Sequence, residues 1–251
     1  MLSTTFCCRP CRRRLPVKVD AVEIFKGWVA DVTRDYDPSH AVQHFERVDR
    51  MALELAAVDR RFAREDTAVL RLAAWAHDVC DHKLCPRSKA SSREAAMRAV
   101  LVKDCHLTMV NAQRVLVIAD NISLSKEKVG KLDRALLQQY DCEVLRDLVS
   151  DADKLDALGR QGLQRLVEHH AASFSRLADL GSMPTLREDM RRLAKQHLLP
   201  RRDYLRTPAA IERGGGLIAE MQSILDDDEA LTRLCEQTLE TMAINPRSFK
   251  E

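Results

Sequence analysis

The sequence is poor in the two residues that most often interrupt helices. Glycine and proline contribute eight residues each to a chain of 251, about half of the roughly 12% that is usual for soluble domains. All-β sandwiches, barrels and propellers need more turn residues than this. The shortage therefore argues against those fold classes.

Long apolar runs and an excess of one charge are also missing. The longest purely apolar stretches, such as residues 72–76 and 115–119, fall far short of the roughly 18 residues of a membrane span. Forty Lys and Arg residues against 38 Asp and Glu give a formal net charge of +2, which argues against non-specific binding of nucleic acid. We expect a soluble chain with no membrane span and no nucleic-acid partner.

The eight cysteines do not form the pattern of a secreted disulfide framework, because their spacing is irregular. Cys8 and Cys11 form a C-x-x-C pair, but no second pair follows at the spacing of a zinc site. They lie in an Arg-rich start with no acidic residue before Asp20. Residues 1–16 are predicted to be a disordered basic tail, followed by one domain over 17–251. We expect a cytoplasmic protein, with a mitochondrial or other organelle transit peptide as the alternative.

Apolar residues recur at helical spacing along most of the chain, beginning with Val22, Phe25, Val29 and Val32. Asp37–Pro38 and Thr108 have the residue types of helix N-caps. Later helices are predicted at residues 37–58, 66–79, 90–104, 108–121, 127–149, 152–170, 186–198, 208–225 and 228–243. Because strand-like alternation never persists, we expect an all-α bundle of about ten helices with short loops.

Three segments combine histidines with carboxylates. Residues 37–48 read DPSHAVQHFERV, residues 77–83 read HDVCDHK, and residues 151–159 read DADKLDALG. Imidazole and carboxylate groups from separate helices are a reasonable ligand set for a divalent Mn, Fe, Ni, Co or Zn ion. Any one segment alone is more often a helix cap or a surface feature. The three together favour a metal site.

In this order the motifs resemble those of the HD-domain superfamily of metal-dependent phosphohydrolases. The small bacterial-type members, similar to nucleotide pyrophosphohydrolases, carry D-x-S-H-x-x-x-H-x-x-R-V, H-D-x-x-D-x-K and D-A-D-[RK]-L-D-A-x-G. The resemblance covers about residues 21–225 and implies an HD-type helical bundle. It also implies one catalytic divalent ion, with Mn, Mg, Ni, Co, Fe and Zn as candidates.

Carried over residue by residue, the resemblance implies four metal ligands: His40, His77, Asp78 and Asp153. The choice of Asp153 over Asp151 follows from relatives that have a single carboxylate there, because they keep the one that precedes Lys/Arg-Leu. Both His40 and His44 are expected on one helix face, since they are four residues apart.

The same resemblance assigns other roles near the metal. Asp81 is expected to act on the nucleophilic water, and Lys154 to contact a substrate phosphate. His44 and Lys83 are expected to face the cleft and bind substrate.

The chain departs from the family in its C-terminal part. The family usually has an arginine near the position of Leu217 and a lysine near that of His197. Arg201, Arg202 and Arg213 are candidates to replace them, so the departure concerns substrate specificity.

The implied activity is hydrolysis of a phosphorylated small molecule, first of all a nucleoside or deoxynucleoside triphosphate cut to monophosphate and pyrophosphate. Relatives with 5′-nucleotidase, triphosphohydrolase or alarmone hydrolase activity are alternatives within the family. A di-iron HD oxygenase would need two further histidines between the His-Asp pair and the last aspartate, and the sequence has only His82 and His106 in that interval. A non-catalytic HD binding module is disfavoured because the ligand set is intact. The oligomeric state, including a homo-oligomer, is left open.

Overall fold

The computed structural model describes residues 20–34, 36, 42–80, 87–173 and 182–242. These residues form twelve α-helices and contain no β-strand, so the prediction of an all-α fold is confirmed. The helices are α1 (Asp20–Val32), α2 (Val42–Val58), α3 (Thr67–Ala76), α4 (Arg87–Ala99), α5 (Met109–Asp120), α6 (Leu124–Lys128), α7 (Arg134–Gln139), α8 (Glu143–Asp156), α9 (Gly159–Ala172), α10 (Met183–Leu193), α11 (Pro208–Asp226) and α12 (Asp228–Thr241).

The centre of the fold is formed by α2, α3 and α8, which pack against one another. Seven of the ten residues of α3 are buried, as expected for a helix that is apolar on almost every face. The first motif leads into α2, the second follows α3, and the third ends α8. Packing of these three helices therefore brings the three motifs to one place.

A second layer of helices covers the C-terminal side of α8. There α9 packs against α11 and α12, and α11 also contacts α8. The side chain of Thr207 caps α11 by accepting a hydrogen bond from the amide of Ala210. The glycine triplet at 214–216 lies inside α11, which continues to Asp226.

The predicted helix over 127–149 is wrong, because three separate helices occupy that region. Gly130 has a φ of 68°, a left-handed conformation that glycine adopts without strain and that ends α6. Asp133 then caps α7 by accepting a hydrogen bond from the amide of Leu136. Since α8 runs to Asp156, the third motif lies at the end of a helix and not at the start of one, as the predicted helix over 152–170 would require.

Other sequence predictions have mixed outcomes. Thr108 does cap α5, through a hydrogen bond from the amide of Asn111. The predicted tail at 1–16, the Cys8–Cys11 pair and the Asp37–Pro38 cap lie outside the described residues. Within the described part of the chain, no helix is long and apolar enough to cross a membrane.

Candidate metal centre

Two buried histidines meet at the centre of the fold. His44 lies in the first turn of α2, and His77 directly follows α3. The Nε2 atoms of the two rings are 3.1 Å apart, and both side chains are completely inaccessible to solvent. Burial of two imidazole nitrogens at this distance requires a shared proton or cation.

Two carboxylates complete the cluster. Asp78 Oδ2 lies 3.4 Å from His77 Nε2 and 3.6 Å from His44 Nε2. Asp153 Oδ1, from α8, lies 3.8 Å and 3.6 Å from the same two nitrogens. Ligands about 2.1 Å from one ion and roughly 90–110° apart are separated by about 3.0–3.4 Å. Two of the five distances lie in this range, and the other three, at 3.6–3.8 Å, exceed it by 0.2–0.4 Å. The four atoms, which we call the ligand cluster, therefore surround one point where a divalent ion could bind, and His44, His77 and Asp153 by themselves form a group that could hold one.

The other ring nitrogens show how the two histidines are oriented. His77 Nδ1 is 2.7 Å from the carbonyl oxygen of Ala74, and His44 Nδ1 is 2.8 Å from Asp156 Oδ2. Both partners are acceptors, so each Nδ1 carries a proton, and in the neutral ring each Nε2 has its lone pair directed at the ligand cluster. This is the tautomer that a metal-binding histidine needs.

The electrostatics of the cluster favour positive charge. Burial lowers the pKa of His77, but the charges of Asp78 and Asp153 and a hydrogen bond to Asp78 raise it to about 9. In the metal-free protein, a proton on His77 thus balances the neighbouring carboxylates. A divalent cation at the same point would satisfy the same demand.

The placement of His44 differs from the sequence expectation. The resemblance placed His40 among the metal ligands and His44 in the substrate cleft, yet His44 Nε2 is part of the ligand cluster. His40 lies outside the described residues. Spacing could not separate the two histidines, because residues four apart share one helix face. What places His44 here is its bond to Asp156, 112 residues away in sequence.

Lys154 also differs from its expected role. Its side chain is 1% exposed, and its Nζ lies 2.9 Å from Glu127 Oε2 and donates a 2.6 Å hydrogen bond to Ser150 Oγ. Arg146 and Arg206 approach the same Glu127 carboxylate at 3.0 Å and 2.7 Å. The ammonium group is therefore part of a buried ion network and is not offered to a substrate phosphate.

Asp151 has a structural role in the same motif. Its buried carboxylate accepts hydrogen bonds from the amides of Arg206 and Thr207 and from the Thr207 hydroxyl. It thereby anchors the segment that leads into α11. This use of Asp151 agrees with the choice of Asp153 as the ligand in the third motif.

Among the three arginines singled out by sequence, only Arg201 lies beside the cluster. Its Nη1 is 3.9 Å from Asp153 Oδ2, and its side chain is 25% exposed. Arg213 pairs with Glu54 on α2, and Arg202 contacts its neighbour Asp203. Of these three arginines, Arg201 is thus the one that lies next to a residue of the ligand cluster.

The remaining candidates from the sequence are three residues of the second motif and His106. Asp81, Lys83 and His82 lie outside the described residues, so their expected roles remain predictions. His106, the other histidine that an oxygenase would need, is exposed and precedes α5.

Comparison with known proteins shows similarity to a Bacillus subtilis sequence. No family model matches the chain. Over 143 residues the chain is 29% identical to the "uncharacterized protein YpgQ" of Bacillus subtilis (strain 168). The match covers 57% of this chain and 63% of YpgQ, so the chain spans less than two thirds of that relative.

Solved structures establish the fold. A Lactobacillus plantarum protein has a TM-score of 0.63 at 19% identity, covering 86% of this chain and 98% of its own. The crystal structure of Bacillus subtilis YpgQ in complex with ADP has a TM-score of 0.59 at 19% identity, with coverages of 82% and 92%. An HD-superfamily hydrolase from Bacillus thuringiensis has a TM-score of 0.54 at 20% identity, with coverages of 89% and 95%. The chain therefore has an HD-like fold.

Proposed function

We propose that this protein is a metal-dependent phosphohydrolase that acts on a nucleotide. The observation that carries the proposal is the ligand cluster, whose two histidine nitrogens and two carboxylate oxygens come from three different motifs. The two histidine Nε2 atoms are 3.1 Å apart, and each lies within 3.8 Å of both carboxylate oxygens. The HD-like fold, shared with a protein described as an HD-superfamily hydrolase, supports the same reaction class.

The residues that would hold the metal are His44, His77, Asp78 and Asp153. When bound, a divalent ion would lower the pKa of a coordinated water and neutralise charge on a phosphate oxygen. The mixed set of nitrogen and oxygen donors suits Mn, Fe, Ni, Co or Zn, and Mg is less suited to imidazole. The side chains of Asp78 and Asp153 are 17% and 20% exposed, which leaves one side of the cluster open to a substrate.

Arg201 is proposed to bind the substrate phosphate, the role that the resemblance assigns to Lys154. Its guanidinium lies beside Asp153 and reaches solvent. A guanidinium can donate two parallel hydrogen bonds to a phosphate, and its charge is not lost near neutral pH. Arg201 would thus hold the phosphate on the open side of the ligand cluster.

The nucleotide part of the proposal has two supports. The sequence resembles small HD hydrolases similar to nucleotide pyrophosphohydrolases, and the structure of the relative YpgQ was determined with ADP. We therefore propose a nucleoside or deoxynucleoside triphosphate as substrate, hydrolysed to the monophosphate and pyrophosphate. The alternatives are 5′-nucleotidase, triphosphohydrolase and alarmone hydrolase activity, and analysis of the products distinguishes each of them from release of pyrophosphate.

The test is a panel of nucleoside mono-, di- and triphosphates, each incubated with Mn²⁺, Mg²⁺, Ni²⁺ or Co²⁺ and resolved by chromatography. Release of pyrophosphate and a monophosphate supports the proposal, and a chelated sample is the control. If no nucleotide is hydrolysed with any of the metals, the proposal is wrong. Two iron atoms per chain in the purified protein would instead favour an oxygenase.

An Arg201→Gln variant is expected to lower kcat/KM, mainly through a higher KM, by the equivalent of about 1–3 kcal/mol. This is the range for loss of a charged hydrogen bond to the substrate. Steady-state kinetics with the best substrate of the panel measures it. The matched control is Arg202→Gln, which removes the neighbouring exposed arginine and should leave the kinetics unchanged. If Arg201→Gln has the same kcat and KM as Arg202→Gln, Arg201 does not bind the substrate.

Asp81 is proposed to act on the nucleophilic water, because it follows Asp78 by three residues and matches an acidic position of the family. An Asp81→Asn variant is expected to retain the metal and to lower kcat at least about 100-fold with little change in KM, as for loss of a general base. Metal stoichiometry and kcat measured on the same sample decide the role. Lost metal would make Asp81 a ligand, and an unchanged kcat would exclude the catalytic role.

A further inference from the structure

A buried carboxylate behind the ligand cluster holds His44 in place. Asp156 Oδ2 lies 2.8 Å from His44 Nδ1, on the side of the ring away from the ligand cluster. We infer that Asp156 is a positioning residue that sets the affinity of the centre for divalent metal by fixing the tautomer and orientation of His44. The inference rests on the proposed function, since it takes His44 as a metal ligand.

Helix geometry places Asp156 so that it can do this. Asp153 and Asp156 are three residues apart at the end of α8, so both carboxylates project from one face of that helix. Asp153 reaches the Nε2 side of His44, and Asp156 reaches the Nδ1 side. One turn of α8 therefore supplies a ligand and also orients a second ligand on α2.

Two arginines hold the Asp156 carboxylate where it accepts a hydrogen bond from His44 Nδ1. Arg47 donates from Nε to Asp156 Oδ1 at 2.6 Å, and Arg165 donates from Nη1 to Oδ2 at 2.7 Å. Two guanidinium groups and one imidazole N–H thus donate to a single carboxylate, which is the arrangement expected around an ionised acid. The carboxylate is held from three directions.

The chemical consequence follows from the two tautomers of imidazole. With Asp156 ionised, the proton of His44 stays on Nδ1, and Nε2 keeps a lone pair for the metal. Without that charge, the tautomer with the proton on Nε2 becomes accessible, and this tautomer cannot bind a metal through Nε2, the atom that faces the ligand cluster. The ring would also lose the contact that fixes its rotation.

The test compares the Co²⁺ affinity of the metal-free full-length protein and its Asp156→Asn variant, followed by the visible absorbance of bound Co²⁺. Asparagine keeps the size of the side chain but removes its charge. The variant is expected to bind Co²⁺ about 10–100-fold more weakly, the usual effect of losing a partner of a metal-ligating histidine. A second readout is the His44 tautomer in nitrogen NMR spectra of the metal-free protein, which should change from Nδ1–H to a mixture.

The matched control is Asp49→Asn. Asp49 is a buried carboxylate on the same helix as His44, and it accepts hydrogen bonds from Arg71 and the Trp75 indole. Its loss disturbs the packing of α2 on α3 without touching a ligand, so Co²⁺ affinity should be unchanged. This control separates a general loss of stability from a specific effect on the metal centre.

The outcomes separate this inference from the proposed function. Failure of the wild-type protein to bind Co²⁺ would overturn the proposed function. Equal Co²⁺ affinity of the wild type and Asp156→Asn would overturn the inference alone. If Asp156→Asn does not fold, Arg165→Gln gives the same answer, because it weakens the hold on Asp156 and should also reduce Co²⁺ affinity. An unchanged affinity in that variant would then be the contradicting result.

Discussion

A His77→Ala variant is expected to contain no bound divalent metal and to have no measurable hydrolase activity. His77 Nε2 lies within 3.1–3.8 Å of His44, Asp78 and Asp153, so its removal takes away the central donor of the ligand cluster. The ion would then have one imidazole and two carboxylates as ligands in place of four groups, so its binding would be weaker. Without the ion, the two carboxylates would repel each other. Metal analysis of the purified variant and assay with the best substrate measure the two losses.

The matched control for this variant is His169→Ala. His169 is an exposed histidine near the end of α9, and its removal should change neither metal content nor activity. Circular dichroism of both variants checks that the helices remain. A His77→Ala protein that keeps its metal and turns over substrate after exhaustive chelation would contradict the metal mechanism.

A Glu127→Gln variant is expected to lose about 3–5 kcal/mol of its free energy of unfolding, the range for breaking a buried ion pair from one side. The Glu127 carboxylate is the shared partner of Lys154, Arg146 and Arg206. Its neutralisation removes the carboxylate that pairs with the buried Lys154 ammonium, and it leaves the Arg146 guanidinium with Asp147 as its remaining ion-pair partner. Urea denaturation at pH 7 measures the loss.

The same loss has a defined pH dependence. Burial alone would raise the pKa of Glu127, but the hydrogen bond from Arg146 and the charge of Lys154 lower it from 4.5 to about 2. A lowered pKa means that the stabilisation is complete above the ordinary value and is lost as the pH falls through the folded-state value. The difference between wild type and Glu127→Gln should therefore be constant above about pH 5 and shrink towards pH 2.

Glu229→Gln is the control for Glu127. Glu229 forms an ion pair with Arg233 on the surface of α12, where its side chain is 86% exposed. Exposed pairs of this kind contribute little to stability, so no measurable change is expected. If Glu127→Gln unfolds at the same urea concentration as this control, the buried network does not stabilise the fold.

The helical fold was predictable because helix formation leaves a local signal. Apolar residues at helical spacing marked the positions of α1, α3, α5, α11 and α12. The signal failed between residues 127 and 149, where the apolar pattern continues across two turns. There the left-handed conformations of Gly130 and Asp141 separate helices that the pattern alone cannot divide.

The candidate site was predictable in part. The resemblance implies His40, His77, Asp78 and Asp153 as ligands, and the structure brings the last three to the same cluster. Substrate specificity and the nucleotide pyrophosphohydrolase assignment remain predictions. The orienting contact from Asp156 left no sequence signal, because its partners His44, Arg47 and Arg165 come from other parts of the chain.

By itself the sequence determined that the chain is a bundle of helices and that three motifs carry its histidines and carboxylates, since periodicity and spacing are local properties. Only the tertiary structure decided which side chains meet. Consecutive residues of a helix point about 100° apart, so Lys154 turns away from the cluster that Asp153 enters and pairs with Glu127 instead. The packing of α2 against α8 decided that His44 reaches the ligand cluster, and the segment before α11 placed Arg201 beside it.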